Sequence, residues 1–294
     1  MSDWYRRSGA TPPFGDPSRL HGVAMEGSYW RFTNAATGEV TIVLRGDCRA
    51  ADGERWDLVA IAAHPGGDVA WKITPPSAGP EGQALRVAVD GISVDATWDT
   101  AVPWPARRAF GGLGPAQSVP FLGQYWHPHV LSGTARGTVR IGDAVRSLDG
   151  ARVYAERNWG STFAGHWWWG QAALDDGCVA FAGGRLLGGA PTALVVAHDG
   201  AVQRFTPPFA RMAVATAPGR WRITARTTQT HVEVEAEADP AAALVLPVPV
   251  PAERRVIMRS AQHLTGALRV TVRRGRRVWW RGETDLAGLE RGVP

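Results

Sequence analysis

The chain has 294 residues, 45% of them hydrophobic and 20% charged, which suits a globular protein with a substantial core, and no apolar run approaches the ~20 residues of a membrane helix. Cys48 and Cys178 are the only cysteines, which excludes a disulfide scaffold and a cysteine-based zinc site. The net charge of +5 is carried almost wholly by arginine; with Lys72 as the only lysine there is no GxxxxGK[ST] phosphate loop, and Schiff-base chemistry would rest on one residue.

Residues 1–20 read as an irregular arm. The opening MSDWYRRSGATPPFGDP lacks the apolar centre of a signal peptide, so the expected compartment is the cytoplasm. Short runs alternating with period 2 then follow one another between Gly- and Pro-rich breaks. They predict strands over 28–33, 39–45, 55–63, 84–89, 92–98, 129–141, 151–158, 166–174, 177–183, 192–198, 202–205, 211–216, 220–227, 230–237, 255–260, 267–273 and 277–281. Residues 99–120 and the span 238–251, with its four prolines, predict irregular connections. Helical periodicity is scarce, and this many short strands means an all-β sandwich or barrel.

The chain also repeats a pattern. An aromatic strand (SYWRF, 28–32), a turn containing Gly38 and the apolar VTIVLRG are matched by HWWWGQAAL, Asp175-Asp176-Gly177 and CVAFAGG. Two related β halves, 1–145 and 146–294, are the economical division. Late in the chain Arg273, Arg274, Arg276 and Arg277 lie between the apolar runs LRVTV and VWW. A hairpin turn accounts for them, with an anionic membrane surface or nucleic acid as the alternatives.

The stretch richest in chemistry is RVYAERNWGSTFAGHWWWGQAAL, residues 152–174. On extended strands Tyr154, Glu156 and Asn158 share one face, as do Trp167, Trp169 and Gln171. A carboxylate, an amide and a phenol before a wall of indoles would suit a large apolar ligand with one polar end. An aromatic core corner, in which the polar groups satisfy buried backbone, fits the same pattern. Glu26 and Glu156 each precede a Trp-bearing strand, one in each half, and could approach one cavity. Burial would keep such a carboxyl protonated at neutral pH, fit to protonate an alkene; alternatively, each forms a buried ion pair, Glu26 with Arg31 and Glu156 with Arg157 or another arginine. His127-Pro128-His129 is the one close histidine pair, and no third ligand is evident, so no metal is expected. His129 reads as a polar group at a cavity mouth or as an ordinary hydrogen-bonded histidine. No GxSxG elbow exists, and GGRLLGG (183–189) lacks the GxGxxG spacing.

Several motifs, in order, resemble those of the tocopherol cyclase family. Glu26-Gly27-Ser28-Tyr29-Trp30-Arg31 is similar to its FEGWYFR-type motif, and Tyr154-Ala155-Glu156-Arg157-Asn158-Trp159-Gly160 to its YAEKNWG-type motif. Trp167-Trp168-Trp169-Gly170-Gln171 resembles its WFWxQ strand, Leu131-Ser132-Gly133 its LSG segment, and Ala287-Gly288-Leu289-Glu290 its closing AGLE. The chain departs from the family pattern at Ser28, Trp30, Arg157 and Ala173. The resemblance implies two lipocalin-like antiparallel β-barrel or sandwich halves packed together with an apolar cavity. The chemistry it implies is cofactor-free closure of a chromanol ring on a prenylated quinol; related two-barrel proteins hydrate carotenoids or fold polyenes.

The resulting expectation is a cofactor-independent cyclase of a large apolar prenylated or polyene substrate. Glu156 and Glu26 are the candidate acids. Tyr29, His129, Tyr154, Asn158, Trp159, Trp167, Trp169 and Gln171 are the candidate binding residues. A non-catalytic carrier of a lipophilic molecule, or a polyene hydratase or isomerase using the same cavity, are the alternatives. The expected partner is a lipophilic small molecule, with no cofactor, metal or nucleic acid; peripheral membrane contact and oligomeric state stay open.

Overall fold

A computed structural model describes residues 23–77, 82–105, 110–119, 122–185 and 189–292, so the predicted arm at 1–20 lies outside the described residues. The chain is all-β, with three short 3-10 turns as the only helical pieces among the described residues. The first sheet runs in the order β4 (Asp68–Thr74), β3 (Arg55–His64), β2 (Glu39–Arg49), β1 (Met25–Asn34), β9 (Arg152–Gly160), β7 (Gln124–Ile141), β6 (Ile92–Pro103) and β5 (Ala84–Val89). A ninth strand, β8 (Ala144–Ser147), pairs with β7. Its ends β4 and β5 approach one another, so this sheet curls into a nearly closed barrel.

The second sheet has the order β13 (Ala201–Phe205), β12 (Thr192–His198), β11 (Gly177–Gly184), β10 (Trp167–Leu174), β21 (Gly288–Gly292), β18 (Arg255–His263) and β17 (Leu244–Val250). The third comprises β14 (Arg211–Ala217), β15 (Arg220–Arg226), β16 (Thr230–Glu237), β19 (Ala267–Arg274) and β20 (Arg277–Thr284). The second and third sheets close on a common core that includes Phe181, Leu194, Trp221, Ile223, Val234 and Val270. Trp30, Phe32, Val43, Ile61, Val94 and Val139 fill the inside of the first sheet.

A third apolar layer joins the halves. Tyr29, Ile42, Trp126 and Tyr154 of the first sheet pack with Trp169 and Val195 of the second. Arg31 fastens this layer: fully buried, its Nη2 donates to the carbonyls of Leu264 at 2.7 Å and Leu286 at 2.6 Å.

Three differences from the sequence reading have physical causes. The sheets change after Gly160 and not at 145/146, because β9 pairs with β1 and β7 of the first sheet. The proline-rich span 238–251 contains a strand, β17, at the edge of its sheet and with a register shift at Leu246/Pro247. An edge strand tolerates residues that cannot donate to a ladder. Strand β7 starts at Gln124, before the predicted 129, because Pro128 sits at a register shift beyond the end of β6 and has only β9 beside it.

The repeat has a topological counterpart. The order β4-β3-β2-β1-β9-β7 in the first sheet parallels β13-β12-β11-β10-β21-β18 in the second. In each half the opening strand of a four-strand meander pairs with the last strand of that half.

Candidate functional site

Alternation along β1, β9 and β10 sorts the candidate residues between the two faces of each strand. On β9, Tyr154, Glu156 and Asn158 face the layer between the sheets, while Val153, Ala155 and Arg157 face the inside of the first half. On β10, Trp167 and Trp169 face that layer, whereas Trp168 and Ala172 belong to the core of the second half. Tyr29 stands directly opposite Glu156 on β1, and Trp169 directly opposite Glu290 on β21.

Between the sheets lies a cavity of about 270 Å³. One water needs roughly 10–15 Å³ on a comparable measure, so a ligand of many heavy atoms has room. Leu44, Leu58, Leu122, Phe163, Leu246 and Val248 supply apolar wall; Tyr29, Asn158, Trp167 and Trp169 line it with Glu156 and Glu290.

Glu156 is the most constrained group on this wall. Its Oε2 accepts from the Trp126 indole N–H at 2.7 Å, the Tyr154 hydroxyl at 2.5 Å and the Trp169 indole N–H at 2.8 Å. No described residue bonds Oε1. An oxygen that accepts three donors has no lone pair left for a proton, so the titratable proton belongs on Oε1. Burial lifts the carboxyl to about 7, against the opposing pull of those three donors, and the nearby Glu290 adds to the rise. The acid is therefore about half protonated at neutral pH.

Two further wall groups carry unused hydrogen-bonding capacity. The side-chain oxygen of Asn158 is buried without a hydrogen bond to any described residue, and the Tyr29 hydroxyl, also buried, has the Arg31 guanidinium as its polar neighbour. Asn158 occupies the space that a side chain at position 27 would need: a Cβ on Gly27 would lie 2.5 Å from the amide oxygen. Tyr29 also meets Trp169 edge-on, with ring centroids 5.0 Å apart, and burial raises its phenol above the usual range.

The other expected site residues fall elsewhere. Glu26 lies on the opposite face of β1 and forms a buried ion pair with Arg157, so the two carboxylates named from the sequence do not meet. Parity decides this: Tyr29 shares the face of Glu156, and Glu26 is an odd number of residues from Tyr29. Trp159 stacks on Tyr125 at 5.7 Å in a separate cluster. Tyr154 does not line the cavity and reaches the site from beneath the wall, through its bond to Glu156 and its contact with the Trp169 ring. Gln171 is buried on the Trp169 face without lining the cavity. His129 sits at the β7 register shift away from the cavity; burial, and then the charge of Arg157, push it down to about 4, which leaves it neutral.

Trp126 and Glu290 are not among the site residues expected from the sequence, although Glu290 closes the AGLE-type motif. Trp126 belongs to the part of β7 before Pro128, where the proline conceals the continuing strand. Glu290 had a usable signal: Glu290-Arg291 repeats the Glu156-Arg157 dipeptide in the last strand of the other half. Its Oε1 accepts from the Trp167 indole N–H at 2.6 Å and the Ser260 hydroxyl at 2.9 Å, and burial raises its pKa.

The fold and wall together define an all-β protein with a buried, partly protonated carboxyl in an apolar cavity between two sheet systems. A model of the Tocopherol cyclase-like family matches residues 104–293, and the chain belongs to that family. Among solved structures, an AttH-like protein from Nitrosomonas europaea superposes with a TM-score of 0.58 at 15% identity, over 95% of this chain and 98% of that one. Kievitone hydratase from Nectria haematococca superposes with a TM-score of 0.53 at 11% identity, over 92% and 89% of the respective chains. Both likenesses are of fold. No curated protein sequence matches the chain.

Proposed function

We propose that the protein is a cofactor-independent cyclase of a large apolar substrate carrying a prenyl or polyene chain and a hydroxyl group, with Glu156 as the proton donor. The observation that carries this reading is the division of labour within one carboxyl. Oε2 is fixed by Trp126, Tyr154 and Trp169, which leaves Oε1 to hold a proton at the wall of an apolar cavity. Transfer of that proton to a trisubstituted alkene gives a tertiary cation. The indole faces of Trp167 and Trp169 can stabilise it by about 0.5–2 kcal/mol each. The apolar wall excludes the water that would otherwise trap it. Attack by the substrate hydroxyl closes the ring, with Tyr29 and Asn158 available to orient that oxygen. Holding a flexible chain in a folded conformation supplies much of the remaining rate through entropy.

The test uses a prenylated hydroquinone as probe. In Glu156→Gln the amide oxygen can still accept the three donors, so fold and probe affinity should persist while turnover falls by about 10²-fold or more. Undiminished turnover would remove Glu156 from the mechanism. Probe binding without any product from the unaltered protein would make it a carrier. Hydration is the second reading, favoured by the fold shared with kievitone hydratase. It differs in the nucleophile, so ¹⁸O from labelled water in the product would decide for it.

A further inference from the structure

Ring closure releases the proton of the attacking hydroxyl, and Glu156 has just given its own proton away at the alkene end. Glu290 is a second, half-buried carboxylate on the same wall that this donor step does not use. Its placement mirrors that of Glu156. Each is followed by arginine, each lies in the last strand of its half, and each faces an aromatic residue on the opening strand beside it, Tyr29 or Trp169. The indoles of Trp169 and Trp167, two residues apart on one face of β10, bond Glu156 and Glu290 respectively. One strand therefore holds both carboxylates against one cavity.

We propose that Glu290 is the second catalytic carboxylate, the base that accepts the hydroxyl proton as the ring closes. The inference rests on the cyclase reading. The step balances: the Glu156 Oε1–H bond breaks as a C–H bond forms at the alkene, and the substrate O–H bond breaks as the C–O bond forms. Glu290 takes that proton, and the product is an isomer of the substrate. Return of the proton from Glu290 to Glu156 restores the starting state, with no oxidant or second substrate. The pair then works with one proton in play, and the nearby charge of Glu290 helps to keep it on Glu156.

Among the described residues, the other charged and titratable groups around the pair are few. They are Tyr29 and Arg31 from β1, Arg45 from β2, Tyr154 from β9 and Arg259 from β18. Arg45 is bound to Asp47 and Asp57, and the Arg259 guanidinium lies 5.1 Å from the Trp167 ring centre. Arg31 bonds backbone carbonyls.

Glu290→Gln keeps an acceptor oxygen for Trp167 and Ser260, so the wall keeps its shape while the base is lost. With the prenylated hydroquinone, turnover should fall about 10²-fold or more, and the residual kcat/KM profile should lose its acid-side limb while keeping the alkaline limb set by Glu156. Undiminished turnover with an unaltered bell would overturn the role of Glu290 and leave that of Glu156 standing; no product from the unaltered protein, or ¹⁸O from labelled water in that product, would instead overturn the cyclase reading beneath it. A substrate-free measurement holds even if the variant folds poorly. In the unaltered protein, the indole ¹H–¹⁵N resonance of Trp167 should titrate with Glu290, and those of Trp126 and Trp169 with Glu156. A Trp167 resonance unmoved from pH 4 to 9 would show a carboxyl that exchanges no proton in the working range and would overturn the proposal.

Discussion

Glu156 shows how one side chain is set by opposing forces. Burial disfavours its ion, three donors favour it, and the balance comes to rest at about 7. Because the folded value lies above the ordinary 4.5, the unfolded chain ionises first as pH rises. Stability from this group is then full below 4.5 and declines through the window up to about 7. The slope is about 1.4 kcal/mol per pH unit for one proton, so the loss by pH 8 is on the order of 3 kcal/mol. Chemical denaturation at pH 5 and pH 8 should show this decline in the unaltered protein. Glu156→Gln should reduce it, leaving the share of other raised carboxyls such as Glu290, and an equal decline in the variant would place the titration elsewhere. Glu26 is the counter-case: equally buried, it is committed to Arg157. Of two glutamates in similar sequence settings, only Glu26 is engaged by a guanidinium; Glu156 is held by neutral donors.

At the scale of elements, β10 is the organising strand. Its even residues complete the core of the second half, and its odd residues present two indole N–H groups to two carboxylates. Trp169→Phe keeps an aromatic ring and removes one of the three donors on Glu156 Oε2. The ion loses a hydrogen bond, so the pKa of Glu156 should rise above about 7 and the alkaline limb of the pH–rate profile should move to higher pH. A pH profile identical to that of the unaltered protein would mean that the indole bond does not set this acid. Alternation made the faces of β9 and β10 readable in advance, since each strand carries its own parity. It could not say which strand lies beside which. That pairing selected Glu290 over Glu26 as the neighbour of Glu156.

For the whole molecule, the cavity belongs to neither half. It lies where the first and second sheets face each other, with β17 supplying Leu246 and Val248 and β2 supplying Leu44. A ligand there would bind only the assembled protein, so it should raise the unfolding temperature; mass action gives about 2.7 kcal/mol of added stability at a free concentration 100 times Kd. Ala182 lies on the wall opposite Trp169 in the β10–β11 register. Ala182→Phe puts a ring into the cavity, and it should abolish the thermal shift caused by the prenylated hydroquinone while leaving the fold's circular dichroism unchanged. A full shift in that variant would place the ligand elsewhere.

The sequence by itself determined the all-β class, most of the strands, the aromatic face of β10 and the carboxylate Glu156. It could do so because these depend on local alternation and on motifs contiguous in the chain. Strand β17 and the start of β7 were hidden because proline obscures a strand that an edge or a register shift can accommodate. Only the tertiary structure decided that Glu26 and Glu156 turn away from each other and that Trp126 and Glu290 join the wall. It also placed the cavity between the sheets. Those outcomes depend on contacts between residues far apart in sequence: Trp126 reaches Glu156 from β7, and Glu290 reaches Trp167 from the end of the chain. A period of two gives each side chain a face; the register between strands gives it a neighbour.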